Sequence, residues 1–314
     1  GDQALTPGGE QVELPEVRLR DVPWRVIEHT EDSVAFQRRL PESSLEVTKR
    51  YRLARVEAED GEQEPAYHLQ LTIEIDNLGD APQQVAYRLD GPNGLPVEGW
   101  WYANKVGHVW GSVGLRDVMV RPIEHAIQQF TPTEIAEGDV EVIEGAPIGY
   151  LGVDAQYFAA MMIPQKESAD QLWFERTELV LLSEPPKPRS AEGRYANVTT
   201  RMTSFPQEIA PGESLEHAYQ IFAGPKRPEL LDHYHAAEAP LYTLDALVTY
   251  GWFTPIAKLM LGILHFFYAI FGNYGVAIIM LTVLVRGLMF PISRKQAISM
   301  MRMQELRPEM ERIK

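Results

Sequence analysis

The stretch AIIMLTVLVRGLMFPISRKQ, residues 277–296, places Arg286 inside a run otherwise apolar enough to cross a bilayer. A guanidinium near the bilayer centre costs about 2.5 kcal/mol or more, so such a residue normally has a task. The task its chemistry suits is attracting carboxylates and hydrogen-bonding polar backbone in a low dielectric. On a helix, Gly275, Thr282, Arg286 and Ser293 recur at spacings of 7, 4 and 7. They form a thin polar stripe that should face protein or a water-filled cavity. The competing reading is an arginine that snorkels to the headgroups five residues before Pro291. Helical side chains lean toward the N-terminus, here toward the bilayer centre, which argues partly against it.

Three other groupings could carry chemistry. HYHAAE (233–238) offers His233, His235 and Glu238 as a metal set, or a solvated helix end. EGWWYANK (98–105) gathers Trp100, Trp101 and Tyr102 beside Glu98 and Asp90, as a sugar-binding surface would, or as β-core aromatics would. NVT (197–199) is a formal glycosylation acceptor, meaningful only in a eukaryotic secretory setting. The sequence has no Walker loop, HExxH, GxSxG or paired nucleophile and base, so no enzyme activity and no cofactor is expected. With no cysteine, thiolate catalysis, disulfides and cysteine metal sites are excluded.

Charge divides the chain. Of 29 Lys/Arg and 44 Asp/Glu, seven and three fall from Arg286 onward, so the last 29 residues carry +4 and the first 285 carry −19. A body that acidic repels phosphates and shows no basic stripe interleaved with aromatics, which disfavours nucleic-acid binding for the bulk of the chain.

The elements that position these residues differ along the chain. From about Val12 to Gly224, short runs alternate with period two: 44–56, 66–76, 83–90, 139–145, 178–184, 194–205 and 216–224. Breakers such as GPNG (91–94), EPPKP (184–188) and APGES (210–214) separate them. The pattern predicts a large, mainly β, antiparallel sandwich. Residues 226–240 predict one or two helical turns that close it.

At Trp252 the composition changes. FTPIAKLMLGILHFFYAIF (253–271) puts Lys258, Gly262 and His265 on one face, at i, i+4 and i+7, with apolar residues elsewhere. A narrow polar stripe of this kind fits a helix lying in the membrane interface. GNYG (272–275) supplies a turn. Tyr274–Pro291 is then 18 residues, about 27 Å of helix, enough to span with adjustment at its ends. Arg294, Lys295, Arg302 and Arg307 follow, which puts that side in the cytoplasm and the acidic body outside it. Met303, Leu306, Met310 and Ile313 read as a coiled-coil seam, with a break predicted near Arg307 because Pro308 suits a first helical turn. The opening GDQALTPGGE lacks an initiator Met, a basic n-region and an apolar h-region, and the chain ends within a helical pattern, so both ends are expected to lie inside a longer protein.

The C-terminal 65 residues carry YGWF, GNYGVAII, VRGLMFPISRKQ and M..LRP in order and spacing. By these motifs the chain resembles the YidC/Oxa1/Alb3 family of membrane protein insertases, in its bacterial branch with a large periplasmic domain. QYFAAMMIP (156–164) and GPK (224–226) are similar to that branch's periplasmic signatures.

The resemblance implies a periplasmic β-supersandwich of the galactose mutarotase type over 1–238. A linker and interfacial amphipathic helix follow over 239–272, with Lys258 and His265 on its polar face. The family's second transmembrane helix then covers 273–292, and the start of a cytoplasmic helical hairpin covers 293–314, with Arg294, Lys295 and Arg302. It further implies an inner-membrane insertase and chaperone that works alone or with the Sec translocon. Its hydrophilic groove would contain Arg286 and Thr282. The implied partners are nascent membrane proteins, Sec components, the ribosome on the cytoplasmic side and lipids. The family's first span and three later spans are not in this sequence, so these residues alone are not expected to insert a substrate. The competing class is a membrane-tethered carbohydrate-binding or docking module built on the β-domain, with Trp101 and Asp90 as contacts.

Overall fold

The computed structural model describes residues 3–5, 11–13, 17–19, 22–57, 63–96, 115–140, 142–187, 191–236, 242–249 and 253–312. Two compact units result, Gly1–Thr249 and Tyr250–Lys314.

The first unit is mainly β. In chain order its strands begin with β1 (Gln3–Leu5), β2 (Gln11–Glu13), β3 (Arg25–His29), β4 (Ser33–Leu40), β5 (Leu45–Glu57) and β6 (Gln63–Asn77). There follow β7 (Gln83–Val85), β8 (Arg88–Asp90), β9 (Asp117–Pro122), β10 (Gln128–Phe130), β11 (Ile143–Glu144) and β12 (Ile148–Asp154). The last are β13 (Phe158–Pro164), β14 (Phe174–Leu181), β15 (Val198–Ser204), β16 (Gln207–Ile209) and β17 (Ser214–Pro225). Nine form one antiparallel sheet in the order β10-β9-β12-β13-β17-β6-β5-β4-β3, and four form a second in the order β11-β14-β15-β8. Their facing sides share one core, with Leu71, Ile73, Ile75, Leu151 and Tyr219 from the large sheet and Phe174, Val198 and Met202 from the small one. This is the expected sandwich.

The long strands follow the alternation in the sequence: along β6, Leu71, Ile73 and Ile75 are buried while Thr72, Glu74 and Asp76 are half-exposed. The run read as one strand over 83–90 divides into β7 and β8, in different sheets. A short helix, α1 (Pro132–Glu137), starts with a capping box between Thr131 and Glu134 and ends at Gly138 with φ 77°.

The opposite side of the large sheet carries a second core. Met119, Tyr150, Met161, Ile163 and Phe222 pack there against Leu231, Tyr234, Ala236, Leu244 and Leu247. These covering residues come from helix α2 (Pro228–Leu231), the chain after it and a 3-10 turn at Leu244–Leu247. The helical turn predicted after residue 226 is therefore present. Leu244 and Leu247, assigned from sequence to a linker, are core residues at 0% and 1% exposure.

The second unit is two helices, α3 (Thr254–Phe271) and α4 (Tyr274–Arg312), which pack on one another. The helix break predicted near Arg307 is corrected: α4 is helical through Pro308 to Arg312. Pro308 removes one donor and crowds the preceding turn, but strong helix formers flank it (Gln304, Glu305, Leu306, Glu309, Met310) and carry the backbone across.

Candidate functional site

The sequence of the α3–α4 turn dictates its shape. Gly272 ends α3 at φ 61°, ψ 14°, a left-handed conformation that glycine adopts freely, and its N–H donates to the Tyr268 carbonyl at 2.7 Å. Asn273 then caps α4, its Oδ1 accepting from the N–H of Gly275 at 2.8 Å and of Val276 at 3.3 Å. Tyr268 and Tyr274 stack across the turn, with centroids 3.9 Å apart. Ala277 is fully buried, and Met280, Leu281 and Val285 continue its face half-buried; Ala257, Leu261 and Leu264 are half-buried at matching spacing on α3.

Arg286 lies on α4 one turn after Thr282, and both are exposed. Thr282 donates its hydroxyl to the Ile278 carbonyl at 2.7 Å, so its proton is used within the helix and its oxygen lone pairs face outward. Gly275 and Ser293, the other members of the predicted stripe, are exposed too. Lys258 and His265 are exposed on α3, and Arg294 and Lys295 on α4. Arg302 is within α4, but its side chain lies outside the described residues. α3 and Tyr274–Pro291 are each 18 residues and each long and apolar enough to cross a membrane.

The other candidates are only partly within the described residues. Among the described residues no three His, Asp or Glu are placed to hold a metal. His233 and His235 are exposed on either side of buried Tyr234, and Glu238 lies outside the described residues. Asp90 is held by Arg201 in a two-pronged ion pair of 2.7 and 3.0 Å, and residues 97–114, with Glu98, Trp100, Trp101 and Tyr102, lie outside the described residues. Thr199 of the NVT triplet is fully buried and donates to the Gly91 carbonyl at 2.9 Å.

The periplasmic-type motifs QYFAAMMIP and GPK meet in space. Phe158 pairs with Pro225, and Ala159 with Gly224, across β13 and β17. Lys226 then reaches back 2.8 Å to Asp154, whose side chain is 3% exposed, and its own N–H donates to the Tyr157 carbonyl. Sequence reasoning missed this pair because its members are 72 positions apart. It also missed a polar cluster in the sandwich core: Tyr87 contacts both Tyr219 and His217, and His217 stacks on Trp173. Inward-facing parity along β17, where His217 and Tyr219 flank Ala218, was the available signal.

Comparison with known proteins decides the class. Residues 42–263 match the model described as the YidC periplasmic domain. The chain belongs to the YidC family. Residues 266–314 match the adjoining model, the 60Kd inner membrane protein, so α4 and most of the sandwich fall in two consecutive parts of YidC proteins. The membrane protein insertase YidC of Rhizobium meliloti (strain 1021) is 31% identical over 192 residues, 61% of this chain and 30% of that protein. The corresponding protein of Rhizobium etli (strain CIAT 652) is 34% identical over 166 residues, 53% of this chain and 25% of that protein. The chain thus spans between a quarter and a third of these YidC relatives. A galactose mutarotase related enzyme from Lactobacillus acidophilus superposes with a TM-score of 0.42 at 12% identity, covering 71% of this chain and 78% of that one.

Proposed function

We propose that the chain is the periplasmic part and second span of a membrane protein insertase and chaperone, and that Arg286 and Thr282 line a hydrophilic groove for the substrate. The observation that carries this is the exposed pair itself: a guanidinium and a hydroxyl oxygen one turn apart on a helix apolar enough to span. In low dielectric the guanidinium attracts the carboxylates of a translocated segment and hydrogen-bonds its backbone, which lowers the cost of bringing both into the membrane.

In this reading α3 lies in the interface with Lys258 and His265 toward the headgroups, and Arg294, Lys295 and Arg302 mark the cytoplasmic side. The partners are nascent membrane proteins and lipids, with Sec components and the ribosome as further contacts. Work proceeds with or without the Sec translocon. The assignments of 1–238 to the sandwich, 239–272 to a linker and interfacial helix, 273–292 to the span and 293–314 to the start of a cytoplasmic hairpin belong to the same proposal, with Leu244 and Leu247 of the linker seated on the sheet.

The test is Arg286→Ala in the full-length protein at normal levels. Insertion of a Sec-independent substrate with an acidic translocated segment falls by an order of magnitude or more, while Arg286→Lys retains part of it. Unchanged insertion removes the groove role from Arg286.

A further inference from the structure

The part of the large sheet formed by β3 to β6 has one face of mixed, mutually paired charge and one that is mainly apolar. Strand register fixes which residues share a face. Glu46 pairs with Asp76 and Glu74 with Glu216, so four carboxylates stand together on the side away from the sandwich core, interleaved with Arg39, Arg50 and Arg52 of the same face. The core-facing side carries Val26, Phe36, Tyr51 and Leu53: Val26 pairs with Phe36, the Phe36 and Tyr51 rings meet edge to face 6.1 Å apart, and Leu53 pairs with Leu69. Toward β3 this side is not closed over by the described residues, since Val26 is 53% and Leu53 41% exposed.

Two cations share the apolar side. Lys49 pairs with Phe36 and Arg38 with Val47, which makes them diagonal neighbours. Lys49 sits 3.9 Å over the Trp24 ring, and Arg38 donates to the Pro23 carbonyl at 3.0 Å. Among the described residues no carboxylate lies within ion-pair distance of either. The Nε of Arg38 is buried with no hydrogen-bond acceptor. In a body of net charge −19, two cations on an apolar surface with no described carboxylate at ion-pair distance are complementary to an incoming one. β3 is also the terminal strand of its sheet, with one side of its backbone unpaired by any other described strand.

We propose that this face of β3 to β5 (Val26, Phe36, Tyr51 and Leu53, with Lys49 and Arg38) binds an extended polypeptide segment that alternates apolar and acidic residues. Such a segment lays its apolar side chains on the sheet and its carboxylates against the two cations. The inference rests on the insertase reading for its source of ligand, an unfolded translocated segment, but it concerns a different surface from Arg286.

Because the chain contains no cysteine, a single Leu53→Cys substitution carries one environment-sensitive dye in the intact chain in detergent micelles. The probe is a twelve-residue peptide of alternating Leu and Asp, with Leu/Lys and Leu/Asn versions for comparison. Saturable dye shifts with the acidic peptide, roughly tenfold weaker binding of the lysine peptide, and a loss of that preference in Lys49→Gln/Arg38→Gln support the proposal. Each is read beside circular dichroism to confirm folding. Equal binding of the three peptides, or an equal shift from a dye at Thr72→Cys on the opposite face, overturns it. A shift driven by lipid or by protein concentration without peptide also overturns it, in favour of a lipid contact or a second copy of the chain. Arg286→Ala leaves the dye titration unchanged, so loss of insertion and loss of peptide binding are separately readable.

Discussion

Trp173 and His217 stack with ring centroids 4.0 Å apart and planes 12° from parallel, although Trp173 directly precedes β14 of the small sheet and His217 belongs to β17 of the large one. The stack pins the two sheets where polar groups enter the core. The Tyr87 hydroxyl lies 2.5 Å from His217 Nδ1 and also contacts the Tyr219 hydroxyl. Burial pushes the His217 imidazole down to about 4.

This makes stability depend on pH in a defined window. Unfolded, the histidine titrates near 6.5, so between about 6.5 and 4 the unfolded chain binds more protons than the folded one. The contribution is intact above about pH 6.5 and is lost as pH falls toward 4, by up to about 3 kcal/mol. His217→Phe flattens that segment of the stability profile in denaturant titrations followed by tryptophan fluorescence. Parallel profiles for the two proteins would refute the assignment.

Lys226 and Asp154 are a second buried linkage, with side chains 10% and 3% exposed. Removing one charge strands the other, at a cost of about 3 kcal/mol. Lys226→Met is therefore expected to lower the melting temperature by roughly 6 to 12 °C, and adding Asp154→Leu recovers part of the loss. A single variant as stable as the parent would show the pair to be dispensable.

Gly152 occupies the middle of β12 with no room for a side chain: a Cβ there would fall against the Ala160 carbonyl oxygen and 2.8 Å from Met161 Cα. Both obstacles are backbone of the neighbouring strand, so Gly152→Ala should cost about 3 kcal/mol. Gly262→Ala on α3, where a Cβ meets nothing within 4 Å, is the unobstructed comparison and should stabilise by about 0.5 to 1 kcal/mol. Thermal melts of the two variants give the contrast directly.

At the head of α4, Asn273→Ala removes the acceptor for two amide protons and is expected to cost about 1 kcal/mol, whereas Asn273→Asp keeps it. Hydrogen exchange at Gly275 and Val276 reports the loss locally, and unchanged protection in the alanine variant would rule out the cap.

What the sequence disclosed follows from how each element meets solvent. β5 and β6, and β17 before Phe222, have one face in the core and one half-exposed, so their alternation survives in the residue pattern. β12 and β13 were not legible as strands: β12 is buried at all seven positions and β13 at six of seven, because cores lie on both sides of them, and a strand apolar on both faces has no period to read. The Gly272-Asn273 turn and the Arg286–Thr282 spacing are local, and local geometry is written in adjacent letters. Lys226 with Asp154, and Lys49 over Trp24, depend on strand pairing, which single-chain patterning does not specify.

The seating of residues 228–236 and 242–248 on the large sheet bears on mechanical force. Leu231, Leu244 and Leu247 are fully buried against the sheet, and the Leu244 N–H donates to the Tyr234 carbonyl at 2.9 Å. A pull on the chain beyond Thr249 first meets this packed seam and must shear it before reaching the C-terminal end of β17, which is paired on both sides. Whatever drags on the membrane end is thus resisted by interlocked side chains, and the strands beneath are shielded from being peeled one hydrogen bond at a time.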